Sequence, residues 1–349
     1  TSKTKSIIFC YMIKVKILNP VEDRNEPTFR PLFFIKDMLR DYSIDITESD
    51  DFDFMFIGMN EFIDKDVSLD ESVDRGLENL SKITGDYFLF DGSDSTSLMG
   101  AYEVLNESKA IYLFKNQLLN REEYKKPTTL NKWFFGTDSD LDLSYDASDR
   151  NWNRIKLSGW NLGYMLPQYR DFQPISNNKN LDVCAIYKAE LPYNEEHKLR
   201  NDLYYTNHRK SAWDILDNKF SSKKDKLPYQ EYINTLYNSK VALSPFGMGE
   251  ICFRDFECMQ FGTIIVKPDV SRLDTIPNIY EDDETYIAVN YDWSDLNEKI
   301  DYVLSDFNNL NQKINTNIRN MFLEKYTYKN LCMHWYEIFS NLNEVSEYA

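Results

Sequence analysis

Histidine is scarce in this chain, with three in 349 residues, and cysteine stands at five. His197, His208 and His334 offer little from which to build a metal enzyme. Cys10, Cys184, Cys252, Cys258 and Cys332 are scattered singly through apolar stretches, with no CxxC. A disulfide frame or zinc site is therefore not expected, and free thiols fit a reducing, cytoplasmic setting. No apolar run approaches the roughly 20 residues that span a bilayer, so no transmembrane segment is expected. The apolar opening, 6–18, is interrupted by lysines and has no small-residue cleavage site after it. It reads as a buried first strand rather than a signal peptide. Basic charge is also in deficit: 40 Lys and Arg against 57 Asp and Glu leave a net charge of −17. Duplex binding needs a basic footprint, and none stands out, so no nucleic-acid partner is expected. An acidic chain that holds a phosphate ligand must do so with local cations and helix N-termini, against its average field.

What is present is enough apolar surface for two packed cores. Hydrophobic residues make up 42% and aromatics 15%, and the length exceeds one typical domain. Short apolar runs alternate with amphipathic stretches. Strands are expected at 6–18, 53–58, 86–90 and 110–114, with helices at 31–41, 70–83 and 97–107 between them. This βαβα order implies a parallel sheet covered by helices on both faces. A turn-rich segment, 120–180, holds Pro127, Pro167 and Pro174. The logic then restarts. Strands are expected at 181–187, 241–245, 263–268 and 285–291, and helices at 195–219, 228–239 and 251–261. Three more helices follow: one capped by Ser294 or Asp295 and running to about 307, then 309–325 and 329–345. The lysine-rich stretch 221–226 reads as a solvated linker. The expected fold class is α/β, with two Rossmann-like domains facing a cleft. The first spans 1–175, the second 176–325, and a last helix in 326–349 crosses back to the first. In open α/β sheets a ligand sits outside the carboxyl ends of the strands.

The segment VALSPFGMGEICFRDFECMQFGTIIVKPD, 241–269, concentrates the chemistry. It reads as strand, glycine loop, helix, strand. Gly247 and Gly249 allow close backbone approach to a ligand. The helix start near Glu250 to Cys252 offers free N–H groups and a positive dipole end, suited to a diphosphate. Arg254 adds a bidentate donor for phosphate oxygens. Glu257, three residues on and on the same helix face, can accept ribose hydroxyls. Lys267 ends the next strand at the same sheet edge. The plainer alternative is a surface ion pair between Arg254 and Glu257, with glycines that only shape a turn.

This segment resembles the donor-binding signature of GT-B glycosyltransferases, of the exostosin-like and group-1-like families. The resemblance is carried by Ser244, Gly247, Gly249 and Glu250, then Glu257–Cys258–Met259, Gly262 and Ile264 to Pro268. Tyr286 to Val289, Asp292, Trp293 and the helix after them are similar to the end of the same domain, so the likeness covers about 181–349. Retaining group-1 enzymes carry seven residues between two glutamates; here six separate Glu250 from Glu257. The resemblance implies two Rossmann-like domains and a nucleoside-diphosphate sugar as donor substrate, with no obligatory metal or other cofactor. It implies transfer to a glycan or other hydroxyl acceptor, and leaves inversion or retention open. It adds Lys188, His208 and Arg209, after the first strand of the second domain, to the candidate donor contacts. Arg200 is a second choice there, and His208 is also open to a structural role.

The first half must supply the acceptor side and any general base. Asp91 and Asp94 follow the strand 86–90 at its carboxyl edge, where an aspartate can take a proton from an acceptor hydroxyl. Helix capping by Asp94 and a turn at Asp91 is the alternative. Asp138–Ser139–Asp140 spells a DxD metal motif, and Asp138, Asp140 and Asp142 resemble a calcium loop without its glycine or its terminal glutamate; both read as chance. Two other functions remain open: a nucleotide-sugar epimerase on the same fold, and a non-catalytic carbohydrate-binding protein.

Overall fold

The computed structural model describes residues 12–18, 29–59, 69–94, 96, 98, 100–124, 152–159, 171–189, 206–224, 227–247 and 249–342. Two parallel sheets organise them. The first contains β1 (Ile13–Ile17), β2 (Ile44–Thr47), β3 (Phe54–Gly58), β4 (Asp86–Asp91), β5 (Leu113–Lys115) and β7 (Ile155–Leu157), in the order β2-β1-β3-β4-β5-β7. The central strand β4 is buried on both faces after its first residue, as a parallel strand between helical layers must be. At the edge, β2 buries Ile44 and Ile46 and half-exposes Asp45 and Thr47. That two-residue alternation in IDIT is short enough to have been passed over in the sequence. Helix α3 (Leu69–Ser81) buries Ser72 and Leu80 along one face, with the Glu71–Arg75 and Glu78–Lys82 pairs on the outer one.

Three expectations for this half change. The helix expected at 31–41 is two, α1 (Arg30–Phe34) and α2 (Lys36–Asp41), separated at Ile35, whose φ of −109° and ψ of 6° interrupt the turn. The helix expected from 97 begins only at α4 (Ala101–Glu107), because Gly100 ahead of it has a φ of +75°. The turn-rich segment 120–180 contributes β7, paired with β5, to the first sheet.

The second sheet contains β8 (Leu181–Ala185), β9 (Ser222–Lys224), β10 (Ser239–Leu243), β11 (Ile264–Pro268) and β13 (Ile287–Val289), in the order β13-β11-β10-β8-β9. Its helices include α6 (Thr206–Ile215), α7 (Tyr229–Tyr237), α8 (Phe253–Phe261), α9 (Leu296–Ser305) and α10 (Phe307–Glu324). The helix expected at 195–219 is described from 206 and ends at 215. Within the lysine-rich stretch read as a linker, Ser222–Lys224 form β9 instead. It pairs with β8, and Lys224 Nζ donates to the Trp213 carbonyl at 2.6 Å. Asp295 precedes α9 without a side-chain cap, because its Oδ1 accepts from the Asn290 amide at 2.8 Å.

Two elements join the halves. β6 (Leu118–Leu119) pairs antiparallel with β12 (Leu273–Asp274), one strand from each side. α5 (Arg121–Tyr124) anchors the first of these through the Tyr124 hydroxyl, which accepts from the Leu119 amide at 3.1 Å. The last helix, α11 (Tyr328–Ser340), leaves the second half and packs on the first sheet. Trp335 stands 5.6 Å from Phe56 and 5.0 Å from Phe114, and Phe339 meets Phe56 and Phe88. Each such buried ring contributes about 1.5–3 kcal/mol relative to exposure. The expected architecture, two Rossmann-like units with a last helix packing back on the first, is the one the described residues have. Among the described residues, no helix is long and apolar enough to cross a membrane.

Candidate functional site

The turn from β10 into α8 builds the site. Before α8 the chain is extended at Cys252, with φ −122° and ψ 152°, and Asp255 turns its carboxylate back to accept from the Cys252 amide at 3.1 Å. Gly262, at φ +65°, ends the helix in the left-handed region. Asp255 does more than cap. It accepts from the Ser244 and Tyr280 hydroxyls and pairs with Lys267 Nζ at 3.1 Å, both charges fully buried. A buried ion pair is tolerated when donors surround it in this way. Ser244 and Lys267 are therefore spent behind the helix and are not among the residues lining the cavity in front of it.

That cavity measures about 370 Å³. Its walls bring together Arg209 from α6, Gly247 and Gly249 from the loop, Arg254 and Glu257 from α8, and Asp94 from the first half. Residues 251–253 at the start of α8 line it as well. Arg209 is buried, with Nε donating to the Phe246 carbonyl at 2.8 Å and Nη1 to the Lys188 carbonyl at 2.5 Å. The Arg209 and Arg254 guanidinium groups lie 5.7 and 5.2 Å from the centre of the Tyr187 ring, which stacks on Trp213 at 5.0 Å. A ring face attracts cations, so one tyrosine steadies two like charges that would repel each other in isolation. Glu257 accepts from the Tyr232 hydroxyl at 2.6 Å. Burial raises its pKa, against the opposing pull of that hydrogen bond and of Arg254. A surface ion pair does not describe Arg254 and Glu257: both face the cavity.

The remaining candidates separate by environment. Asp94 lines the cavity and is exposed, and the desolvation of its carboxyl by the surrounding wall raises its pKa, opposed by Lys115. Asp91 is buried instead; Lys115 Nζ donates to it at 2.6 Å and the Ser93 amide at 2.9 Å. Glu250 is 1% exposed and turns away from the cavity. It accepts from the Thr96 hydroxyl at 2.7 Å, the Thr96 amide at 3.3 Å and Gln117 Nε2 at 3.0 Å, all in the first half. The Lys188 side chain is exposed, and only its carbonyl takes part, through Arg209. His208 is buried between Phe246 and Tyr291, at ring distances of 5.5 and 4.5 Å. Burial, then the charges of Arg209 and Lys267, push its pKa down to about 3, so it brings no positive charge at neutral pH. Gly249 has its own reason to be glycine: a Cβ there would overlap the Asp94 carbonyl. Arg200, Asp138, Ser139, Asp140 and Asp142 lie outside the described residues. Among the described residues, no group of three or more His, Cys, Asp or Glu is placed to hold a metal ion.

Sequence reasoning missed Tyr187, Tyr232 and Phe253, all on the cavity wall. Tyr187 was findable, since it follows the carboxyl end of β8. Tyr232 was not, because nothing in the α7 sequence distinguishes it from a core tyrosine. No protein-family pattern matches the chain, and no protein of curated function matches it by sequence. Solved structures are similar in shape. An alpha-glucosyltransferase in complex with UDP-glucose and DNA containing an abasic site aligns at 10% identity and a TM-score of 0.45, over 94% of this chain and 99% of that one. Anabaena HepE in complex with UDP-glucose aligns at 9% and 0.46, over 95% and 100%. A putative UDP-N-acetylglucosamine 2-epimerase from Listeria monocytogenes aligns at 11% and 0.43, over 97% and 98%. With identities this low and scores below 0.5, the functional reading rests on the chain's own residues.

Proposed function

We propose that the chain is a glycosyltransferase that moves a sugar from a nucleoside-diphosphate donor to a hydroxyl acceptor. The observation that carries this is the convergence on one cavity of Arg209, Arg254, the start of α8 and Glu257, with Asp94 supplied by the opposite half. The guanidinium pair and the helix N-terminus neutralise the diphosphate and stabilise the charge that grows on it as the sugar leaves. Glu257, steadied by Tyr232, accepts a ribose hydroxyl through its remaining acceptor capacity. Asp94 takes the proton of the acceptor hydroxyl as that oxygen attacks the anomeric carbon, and the C–O bond to the diphosphate breaks with its electron pair. A base in this role implies inversion at the anomeric centre. In this reading the arginines do what a divalent cation does elsewhere, and activity persists in excess EDTA. Lys188, His208, Ser244, Glu250 and Lys267 support the site from behind, and Asp91 neutralises Lys115.

Calorimetric titration with a panel of sugar nucleotides tests the reading, followed by Glu257→Ala with the best binder. Affinity should fall by about 1–3 kcal/mol, the scale of a lost polar contact. Free nucleoside diphosphate should appear only with an acceptor present. Interconversion of the donor sugar without an acceptor would make the protein an epimerase, and absence of binding across the panel would leave a non-catalytic role.

A further inference from the structure

The contact around Glu250 has a form that neither donor binding nor simple packing explains. A carboxyl group has been placed where water cannot reach it, and its hydrogen-bond partners across the contact are neutral groups of the other half: Thr96, by hydroxyl and amide, and Gln117. Burying a carboxylate without a directly paired cation is costly, and burial raises the Glu250 pKa, with Lys115 among the groups opposing that rise. The residues on either side make the contact closer still. Gly249 lies against the Asp94 carbonyl with no room for a Cβ, and that same carbonyl accepts from Gln117 Nε2. The Gln117 amide therefore reaches both the loop that carries Asp94 and the loop that carries the glycines of the cavity. Lys115, two residues earlier, pairs with Asp91, and its charge also acts on Asp94 and Glu250. Tyr124 closes the arrangement, its hydroxyl donating to the Thr96 carbonyl at 2.6 Å.

We infer that Glu250 is a positioning residue: its carboxylate fastens the Asp94 loop of the first half to the cavity loop of the second, so that Asp94 and the two arginines meet one ligand at a fixed distance. The inference rests on the proposed role of Asp94 for its kinetic consequence, but not for its structural one. Glu250 touches no ligand. It acts through the loop 91–96, and a shift of about 1 Å in a reacting group is enough to cost about 10²-fold in turnover. The nucleotide contacts, all in the second half, do not depend on the fastening.

The experiment uses the full chain and compares Glu250→Gln, Thr96→Val and the double variant. Glu250→Gln keeps the shape and replaces one of the two carboxyl oxygens that accept from Thr96 and Gln117 by an amide donor. Thr96→Val removes one of the hydrogen bonds from the opposite side without altering the cavity loop. Turnover at saturating donor should fall about 10²-fold in Glu250→Gln, while the dissociation constant for nucleoside diphosphate changes less than about threefold. The double variant should lose little beyond the worse single variant, because both break the same contact. Amide hydrogen exchange of the segments 91–100 and 246–252 should quicken in each variant and stay as in wild type in Asp94→Asn. Full turnover with unchanged exchange in a folded Glu250→Gln protein overturns the inference, as do additive losses in the double variant or a loss of nucleotide affinity that matches the loss of turnover. Faster exchange with turnover intact in both Glu250→Gln and Asp94→Asn would keep the fastening and remove Asp94 as the base. Should Glu250→Gln fail to fold, Thr96→Val with the same readings decides alone.

Discussion

Each half of the molecule buries one lysine–aspartate pair at the working edge of its sheet. In the first, Lys115 and Asp91 meet at 2.6 Å; in the second, Lys267 and Asp255 meet at 3.1 Å. Both pairs are almost wholly removed from solvent, yet what stands in front of them differs. Beyond Lys115–Asp91 the cavity receives a single anion, Asp94. Beyond Lys267–Asp255 it receives Arg209 and Arg254 together with Glu257. The two charges within each pair cancel, so the pairs leave the polarity of the cavity to the residues that line it. A chain of net charge −17 thereby presents two arginines and Glu257 to a ligand on one side and Asp94 on the other.

Breaking the pairs themselves should give the largest effect. Asp255→Ala removes the acceptor for Ser244, Tyr280 and the Cys252 amide and strands a buried Lys267. It should cost about 3–5 kcal/mol in urea unfolding. Lys115→Met should cost less, since Asp91 keeps the Ser93 amide. The opposite ranking would show that the second pair is not the more demanding one.

Removing what faces the cavity should act on turnover instead. Asp94→Asn should lower kcat by about 10³-fold, within the range of a lost general base, with nucleotide affinity unchanged. The raised pKa of Asp94 fixes the sign of the pH dependence. The base works only when deprotonated, so kcat in wild type should fall as pH drops through a value above the ordinary aspartate range of about 3.9. A profile with no acid limb, or one retained in Asp94→Asn, would reassign the base.

On the cationic side, Arg254→Ala should weaken nucleotide binding by about 1.5–3 kcal/mol, with a further loss in kcat as leaving-group charge grows. Arg254→Lys should fall between, because it keeps the charge but loses the planar fork. Equal losses in both variants would mean that charge alone is not what the site uses.

The smallest effect concerns His208, which the resemblance nominated as a donor contact. Its folded pKa of about 3 lies below the unfolded value, so below pH 6.5 the unfolded chain takes up a proton that the native state refuses. Stability from this group is present above pH 6.5 and should fall by about 2 kcal/mol by pH 5. Chemical denaturation of wild type and His208→Gln at both pH values checks this. An equal pH slope in the two proteins would remove His208 as its source.

The strand–loop–helix of the second half was legible because it is local: two glycines, a helix start and two largely apolar strand segments sit within 29 residues, 241–269. The central strands of both sheets were legible for the same reason, being unbroken apolar runs such as DYFLF and TIIV. β2, β7 and β9 were not. Each is an edge strand of three or four residues whose pairing partner lies elsewhere in the chain, so hydrophobic periodicity carries too little signal. The site divides in the same way. Arg254 and Glu257 share a helix face by spacing alone, but Glu250, one residue beyond Gly249, turns to the opposite half. No local rule distinguishes an acidic residue that faces a ligand from one that faces Thr96.

By itself the sequence determined the α/β class, the doubled layout, the helix that carries Arg254 and Glu257, and an acidic net charge, since all of these follow from composition and short-range periodicity. Only the tertiary structure decided which charges are spent on one another and which are left for a ligand. Lys267 and Lys115 are consumed by Asp255 and Asp91, His208 is held neutral among aromatic rings, and Glu250 crosses to the other half. Meanwhile Tyr187 gathers two arginines from helices more than 40 residues apart. Pairing, burial and desolvation are properties of groups brought together across long separations, and they set the charge state and direction of a side chain more strongly than its neighbours in the chain do.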